Sequence, residues 1–191
     1  MSTRTLDELE TARMTGARMR PEHARDLAQL MQDPRIARTL SPRGGAPGDE
    51  QVRLQLERHV AHWDRHGFGL WMLYDRRAAA LIGRGGLLHT TVTGVPEVEV
   101  GWAIVPARWR QGLATELALA SLEVAFGSLG LESVIAYTLL DNHASRRVMH
   151  KSGFVHEREF VHLQLPHVLY RASRADAPTD RVLGTVERGS A

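Results

Sequence analysis

One segment restricts the fold more than any other part of the chain. It runs from the alternating stretch EVEVGWAIV (97–105) through Pro106 to a glycine and an apolar run, GLATELALASLEVAF (112–126). Polar–apolar alternation is typical of a strand, and a segment that is apolar almost all round is typical of a helix packed on a sheet, here Gly112 to Leu129. SVIAYTLL (133–140) follows as another strand. A strand, a helix and a strand in this order predict one crossover between parallel strands.

The other elements surround this crossover. A strand near Thr15–Met19 comes first, then a helix that ends at Asp33-Pro34 and a second helix from Asp49 to Gly67. A hairpin, a short helix and two further strands complete the pattern: GLWMLYD (69–75), ALIGRGGLLHT (80–90), NHASRRVMHKSG (142–153), FVHEREFVHLQL (154–165) and HVLYRAS (167–173). Hairpins beside a single crossover indicate an α/β fold of the mixed α+β kind, with about seven strands and about four helices.

Length and composition predict one domain. The chain has 191 residues, of which 43% are hydrophobic, enough for one core and short for two. We expect the domain to span 14–174, with an N-terminal extension (1–13) and a polar C-terminal tail (175–191). No apolar run approaches the roughly 18 residues of a membrane span, and MSTRTLDELE lacks an apolar signal region. The prediction is a soluble, cytoplasmic, bacterial protein with no membrane partner.

Charge and cysteine content exclude several functional classes. The isoelectric point is near 9.5, yet the net charge is only +2 and basic residues alternate with acids, as in RPEHARD (20–26). Nucleic-acid binding would require basic residues clustered on one element, so we predict none. The chain has no cysteine, which excludes disulfides, thiolate metal sites and a cysteine nucleophile.

The junction Gln111–Thr115 is a candidate phosphate site. Because the first N–H groups of a helix lack intrahelical acceptors and carry partial positive charge, they bind anions, and Gly112 allows a ligand to approach the backbone. The P-loop and dinucleotide-binding glycine patterns are both absent. The alternative is a glycine at an ordinary loop-to-helix junction.

Two carboxylates precede this junction. Alternation places Glu97 and Glu99 on one face of the strand, unless a bulge changes the parity. A carboxylate that is partly desolvated has a raised pKa and can act as a general base. The alternative is the polar face of an edge strand, which suits Glu97 better than Glu99.

Asn142 and Ser145 open the helix after the crossover. An N-cap asparagine explains both residues without a ligand. The crossover, however, brings the starts of both helices to one edge of the sheet, where ligand crevices form. The histidines His59, His62 and His66 share one predicted helix, and we interpret them as a solvated face rather than a metal site, so no metal is predicted.

Two stretches, VEVGWAIVPARWRQGLATELALASLEVAF (98–126) and DNHASRRVMHKSGF (141–154), together resemble the acetyl-CoA-binding core of the GNAT superfamily of N-acetyltransferases. The closer resemblance is to the branch of ribosomal-protein N-terminal (alanine/serine) acetyltransferases. It extends upstream into the first helices and downstream to about Leu169. Trp109 departs from the Q/R that opens the superfamily's phosphate loop, as is familiar in this branch.

The resemblance implies acetyl-CoA as co-substrate. It implies that backbone N–H groups from Arg110 to Thr115 hold the pyrophosphate, that the pantetheine arm lies between the strands of Ile104 and Ile135, and that Asn142 contacts that arm. The implied coenzyme-binding residues are Ile104, Val105, Arg110, Gln111, Gly112, Leu113, Ala114, Thr115, Asn142 and Ser145.

The resemblance also implies catalytic roles. Met149 stands where many members carry a tyrosine that protonates the thiolate, so Ser145 becomes the candidate acid and Glu99 the candidate base, acting through water. The implied reaction is direct attack of an amine on the thioester, with a backbone N–H near Trp102–Val105 stabilising the oxyanion.

The acceptor is predicted only as a primary amine, either a protein N-terminus or a small molecule. The expected acceptor-binding residues are Trp71, Glu97 and Trp102, near the loop TLSPRGGAPGDE (39–50). The resemblance is compatible with a homodimer. The alternative function is a non-catalytic acyl-CoA-binding regulatory module on the same fold.

Overall fold

The computed structural model of the chain describes residues 6–40 and 45–176. Within these ranges the strands are β1 (Glu8–Glu10), β2 (Met14–Arg18), β3 (Leu70–Asp75), β4 (Leu81–Val92), β5 (Val95–Ile104), β6 (Ser133–Leu139), β7 (Val155–His162) and β8 (Leu165–Ser173). The α-helices are α1 (Ala24–Met31), α2 (Pro34–Leu40), α3 (Asp49–His66), α4 (Leu113–Glu123) and α5 (His143–Lys151). A π-helical turn at Val124–Ser128 extends α4.

The strands form one mixed sheet in the order β1-β2-β3-β4-β5-β6-β8-β7. Only the β5–β6 pair is parallel among the described strands, and its register is limited to Glu99 opposite Ile135. Beyond that pair β5 and β6 diverge and leave a gap in the middle of the sheet. The predicted crossover and mixed α/β class are confirmed.

The described sheet has eight strands where about seven were expected, and five α-helices where about four were expected. The additional strand, β1, lies in the predicted extension 1–13 and pairs with β2. The additional helix arises because Pro34 begins α2 instead of ending the helical region, since proline is well tolerated in a helix's first turn. Residues 41–44 of the predicted acceptor loop and 177–191 of the predicted tail lie outside the described residues.

The two faces of the sheet carry different helices. A Cβ added at Gly85 would lie 2.4 Å from Leu117 Cδ2, so this glycine allows α4 to pack closely on β4. Because side chains alternate along a strand, Arg84 and Leu88 point to the opposite face, where α1 packs on β4 and α3 packs on α1. None of the helices in the described part of the chain is long and apolar enough to cross a membrane.

Candidate active site

Two cavities meet where β5 and β6 diverge. The helix-end cavity, about 630 Å³, is lined chiefly by residues of 102–115 and by the start of α5. The sheet cavity, about 340 Å³, lies over β4, β5 and β6 and is covered by α3 and the β7–β8 hairpin. Both cavities are lined by the same four residues at their junction, namely Thr39, Trp102, Asn142 and Ser145. A ligand in one cavity can therefore contact a ligand in the other.

The helix-end cavity is built around a turn with two left-handed residues. Arg110 has φ 63° and Gly112 has φ 79°, with Gly112 as the N-cap of α4. Glycine adopts this conformation without strain. The first N–H groups of α4 follow, so the turn presents several backbone donors to one point in the cavity.

Ionic contacts of two arginines fix this turn. Arg13, between β1 and β2, donates from Nη1 to the Gln111 carbonyl at 2.8 Å and from Nε to Glu116 at 2.6 Å. On the other side Arg108 donates to Asp75 at 2.7 Å, which lowers the pKa of Asp75 to about 2. The backbone donors are therefore held in place before any ligand binds.

Trp109 has a structural function in the same turn. Its indole Nε1–H donates to the carbonyl of Ile104 at 2.6 Å, joining the end of β5 to the turn. Its ring is 42% exposed and lines the helix-end cavity. The residue that departs from the superfamily motif thus closes the strand-to-helix connection.

The charges lining the helix-end cavity are all positive. They belong to Arg108, Arg110, Arg147 and Lys151, and no acidic side chain is among the described lining residues. The cavity's chemistry therefore suits a ligand with several phosphate charges.

Asn142 and Ser145 form the start of α5. The Asn142 side chain accepts from the Ser145 backbone N–H at 3.1 Å and donates to Thr138 Oγ1 at 3.0 Å. The amide group therefore caps the helix and is locked to β6 at the same time. This places the Ser145 side chain at the junction of the two cavities.

Glu99 lies in the sheet cavity between Arg84 and Tyr137. Burial raises the pKa of Glu99 to about 7, although the Arg84 charge and a hydrogen bond from Tyr137 act in the opposite direction. Burial and the Glu99 charge in turn raise the pKa of Tyr137 to about 12, so the phenol stays protonated and donates. Glu99 is therefore a carboxyl group that exchanges a proton near neutral pH.

The backbone of β5 offers donors beside Glu99. The Val105 N–H is already bound to the Ile82 carbonyl at 2.8 Å. Because donors alternate sides along an antiparallel ladder, the N–H groups of Trp102 and Ile104 point away from β4, into the gap beside β6. Trp102, which lines both cavities, has the N–H best placed at the junction.

Sequence interpretation missed three residues of the sheet cavity: His59, Arg84 and Tyr137. The expectation of a solvated His59 is wrong, because this side chain is buried with Val52, Leu56 and Trp63 along one stripe of α3. The spacing 52-56-59-63 was the available signal, since it places His59 on the apolar face. Within the described residues, no group of three or more His, Asp or Glu side chains is arranged to hold a metal ion.

Most predicted coenzyme residues line the helix-end cavity. They are Ile104, Arg110, Gly112, Leu113, Ala114, Thr115, Asn142 and Ser145. Val105 and Gln111 are not among the residues that line this cavity. Val105 packs beside Leu30 and Ile36, and the Gln111 side chain accepts a hydrogen bond from Arg108 Nε.

Two predicted acceptor residues lie elsewhere. Trp71 is fully buried in the core, stacked edge-on against Trp63, with its indole N–H bound to the Leu6 carbonyl. Glu97 forms a two-pronged ion pair with Arg171 at 2.7 and 3.1 Å. Trp71 has no exposed surface for an acceptor, so its assignment to acceptor binding is corrected. Glu97 is not among the residues that line the two cavities, whereas Trp102 lines both.

Residues 13–155 match the family model described as an acetyltransferase (GNAT) domain. The match covers most of the chain, including the turn at Gly112 and the carboxyl at Glu99. The chain therefore belongs to the GNAT acetyltransferase family and is an enzyme of the acyltransferase class.

Curated relatives agree with this membership. An uncharacterized N-acetyltransferase, YoaA of Bacillus subtilis, is 34% identical over 87 residues, which are 46% of this chain and 49% of that protein. The match thus spans about half the length of that relative. FsC-acetyl coenzyme A-N(2)-transacetylase of Aspergillus fumigatus is 29% identical over 168 residues, covering 84% of this chain and 70% of that protein.

Solved structures share the fold at low identity. An acetyltransferase from Agrobacterium tumefaciens superposes with a TM-score of 0.74 at 22% identity, covering 86% of this chain and 93% of that one. The ribosomal L7/L12 alpha-N-protein acetyltransferase RimL, solved with coenzyme A, superposes with a TM-score of 0.73 at 13% identity, covering 87% of this chain and 97% of that one. The aminoglycoside acetyltransferase AAC(6')-Ib, also solved with coenzyme A, superposes with a TM-score of 0.70 at 16% identity, covering 85% of this chain and 96% of that one. Proteins with different acceptors thus share this fold.

Proposed function

We propose that the protein transfers the acetyl group of acetyl-CoA to a primary amine by direct attack. The observation that carries this proposal is the junction of the two cavities. A positively charged cavity with a helix N-terminus meets a second cavity that contains a carboxyl group with a pKa near 7. One cavity suits a phosphate-bearing donor, and the other suits an acceptor that must lose a proton.

The helix-end cavity would hold the coenzyme through this chain's backbone. The N–H groups between Arg110 and Thr115 would bind the pyrophosphate, with Arg108 and Arg110 assisting at the rim. The pantetheine arm would follow the gap between β5 and β6 toward Asn142. Bound there, acetyl-CoA supplies the activated acetyl group.

In the sheet cavity, Glu99 would accept the proton of the acceptor amine through a water molecule. The neutral amine would then attack the thioester carbon directly, forming the C–N bond before the C–S bond breaks. As the C–S bond breaks, the nitrogen would lose its second proton, which balances the proton taken up by the thiolate. The N–H of Trp102 would donate to the oxyanion. Ser145, at the junction, would donate a proton or a hydrogen bond to the departing thiolate.

Met149 supports a second candidate function. This buried side chain lines the sheet cavity at the position where many superfamily members carry the protonating tyrosine. A non-catalytic acyl-CoA-binding module would need no such acid.

A cytoplasmic location and assembly as a homodimer stay predictions.

Release of free thiol from acetyl-CoA tests the proposal directly. The purified full chain would be assayed with free amino acids, peptides with free N-termini, simple amines and aminoglycosides. We expect amine-dependent thiol release with at least one class. Tight binding of acetyl-CoA, measured calorimetrically, without turnover on any class would favour the regulatory module.

A further inference from the structure

We infer that the acceptor carries a carboxylate close to its amine, as a free amino acid does, and that Arg84 and His59 bind this carboxylate in the sheet cavity. This inference rests on the proposed function, because it specifies the acceptor class of the same site. It starts from two polar side chains that the mechanism does not use.

Arg84 has an enclosed guanidinium, one nitrogen of which lacks a hydrogen-bond partner in the described part of the chain. It lines the sheet cavity, and its buried Nε has no partner within the described residues. Other arginines of the described chain, such as Arg108 and Arg171, are bound to carboxylates. A desolvated guanidinium is costly unless an anion binds it, so Arg84 is suited to recognise one.

His59 presents a second unsatisfied atom to the same cavity. Its Nε2 is buried and has no partner in the described part of the chain. Burial, together with the Arg84 charge, lowers the pKa of His59 to about 3, so the imidazole is neutral. A neutral imidazole can donate one hydrogen bond, which complements the guanidinium around a single carboxylate.

The strand register places this pair beside Glu99. Arg84 lies opposite Ala103 and Leu88 lies opposite Glu99, so both charged side chains stand on the same face of adjacent strands. Between them on β5 is Gly101, where an added Cβ would meet only the Glu99 side chain, at 3.7 Å. The resulting space joins the general base to the guanidinium, which requires an acceptor whose amine and anion are only a few bonds apart.

The charge of the sheet cavity disfavours the other acceptor classes. Glu99 is its only carboxylate among the described lining residues, and Arg84 offsets it. Polycationic acceptors such as aminoglycosides would be repelled by Arg84 and would offer its Nε no anionic partner. A peptide N-terminus without an acidic side chain would likewise offer the Arg84 Nε no anionic partner.

Matched acceptor pairs test this inference. Each of a set of L-amino acids would be compared with its own carboxamide in the thiol-release assay, with phosphoethanolamine as a second anionic amine. We expect kcat/KM to be about 100-fold higher for the carboxylate than for the amide, since a buried charged partner is satisfied only by the former. In Arg84→Gln this ratio should fall to near one, and Arg84→Lys should restore part of it. Arg53→Gln, an exposed change on α3, is the matched control and should keep the wild-type ratio.

Several outcomes would overturn the inference while the proposed function stands. They are equal rates on acids and amides, turnover confined to peptides or aminoglycosides, a strong preference for phosphoethanolamine, or an unchanged ratio in Arg84→Gln. If Arg84→Gln fails to fold, the acid-to-amide ratio of kcat/KM in the wild type and in Arg84→Lys still tests the inference. Absence of turnover on every amine, with acetyl-CoA bound, would instead contradict the proposed function itself.

Discussion

The two cavities are built in different ways. Apart from Ile36 and Thr39, the helix-end cavity takes its lining from two short stretches of chain, 102–115 and 142–151. The sheet cavity collects side chains from α2, α3, β3, β4, β5, β6, α5 and the β7–β8 hairpin. The first binds through backbone geometry that one local segment specifies, whereas the second binds through side chains that only the assembled fold brings together. Changes in the first should alter coenzyme affinity, and changes in the second should alter turnover and acceptor choice.

The largest expected effect is on turnover in Glu99→Gln. Removing a general base should lower kcat by about 100-fold or more and should leave acetyl-CoA affinity unchanged. In the wild type, kcat should rise with pH through about 7 as Glu99 loses its proton. Steady-state kinetics across a pH series, with calorimetric coenzyme binding, measure both. Glu97→Gln is the matched control, and an equal loss there, or unchanged turnover in Glu99→Gln, would remove Glu99 from this role.

The same variant should change stability in a pH-dependent way. Because the folded pKa of Glu99 is raised to about 7, the native state holds this proton more tightly than the unfolded chain. Wild-type stability relative to Glu99→Gln should therefore decrease as pH rises from about 4.5 to 7, by up to about 3 kcal/mol. Urea unfolding of both proteins at pH 5 and pH 8 gives the difference in their free energies of unfolding at each pH. The contribution of His59 cancels in this difference because both proteins contain that residue. A difference independent of pH would show that Glu99 is not desolvated.

A smaller effect is expected on the backbone turn. Gly112→Ala places a side chain at φ 79°, which costs roughly 1–2 kcal/mol, and the added Cβ would lie 3.5 Å from Nη2 of Arg13, the residue that fixes the turn. Acetyl-CoA should bind about 10-fold more weakly, with no change in acceptor preference. Gly127→Ala, at an open position in the π-helical turn, should leave affinity unchanged. Equal affinities in both variants would contradict the assignment of the turn to the coenzyme.

The smallest expected effect is on the contact that fixes the turn. Glu116→Gln weakens the ion pair with Arg13, which also binds the Gln111 carbonyl. Because Arg13 is about half exposed, we expect the loss of acetyl-CoA binding free energy to be less than about 1 kcal/mol, which corresponds to a few-fold weaker binding. Glu57→Gln, which removes an exposed ion pair with Arg53, is the control for a general charge effect. A loss of similar size in both would show that the Arg13 contact does not order the turn.

The fold was predictable because its signals are local. The crossover, the helix start at Gly112 and the cap at Asn142 each depend on residues within one or two turns of chain. The additional helix α2 escaped prediction because Pro34 is compatible with both the end and the start of a helix, and the buried Ile36 and Ala37 decide between them. Strand β1 is only three residues long and is specified by pairing with β2.

The site was predictable in part for the same reason. Alternation correctly placed Glu99 and Gly101 on one face, since β4 and β5 pair without a bulge. Trp71 was misplaced because a tryptophan in a hairpin can face either the core or a ligand, and its packing on Trp63 is a tertiary contact. Glu97 lies on the same face as Glu99 but forms an ion pair with Arg171 of β8. The alternation of residues along β5 does not predict this partner, because Arg171 belongs to a different strand.

By itself the sequence determined the mixed sheet, the single crossover and the backbone turn at Gly112, because hydrophobic period, proline and glycine restrict the chain locally. The environment of Glu99 was decided only by the tertiary structure. Arg84 and Tyr137 reach it through strand register, and His59 reaches the same cavity because one stripe of α3 packs over the sheet. Desolvation depends on everything that surrounds a group, so the raised pKa of Glu99 and the Arg84 Nε without a partner among the described residues exist only in the folded protein.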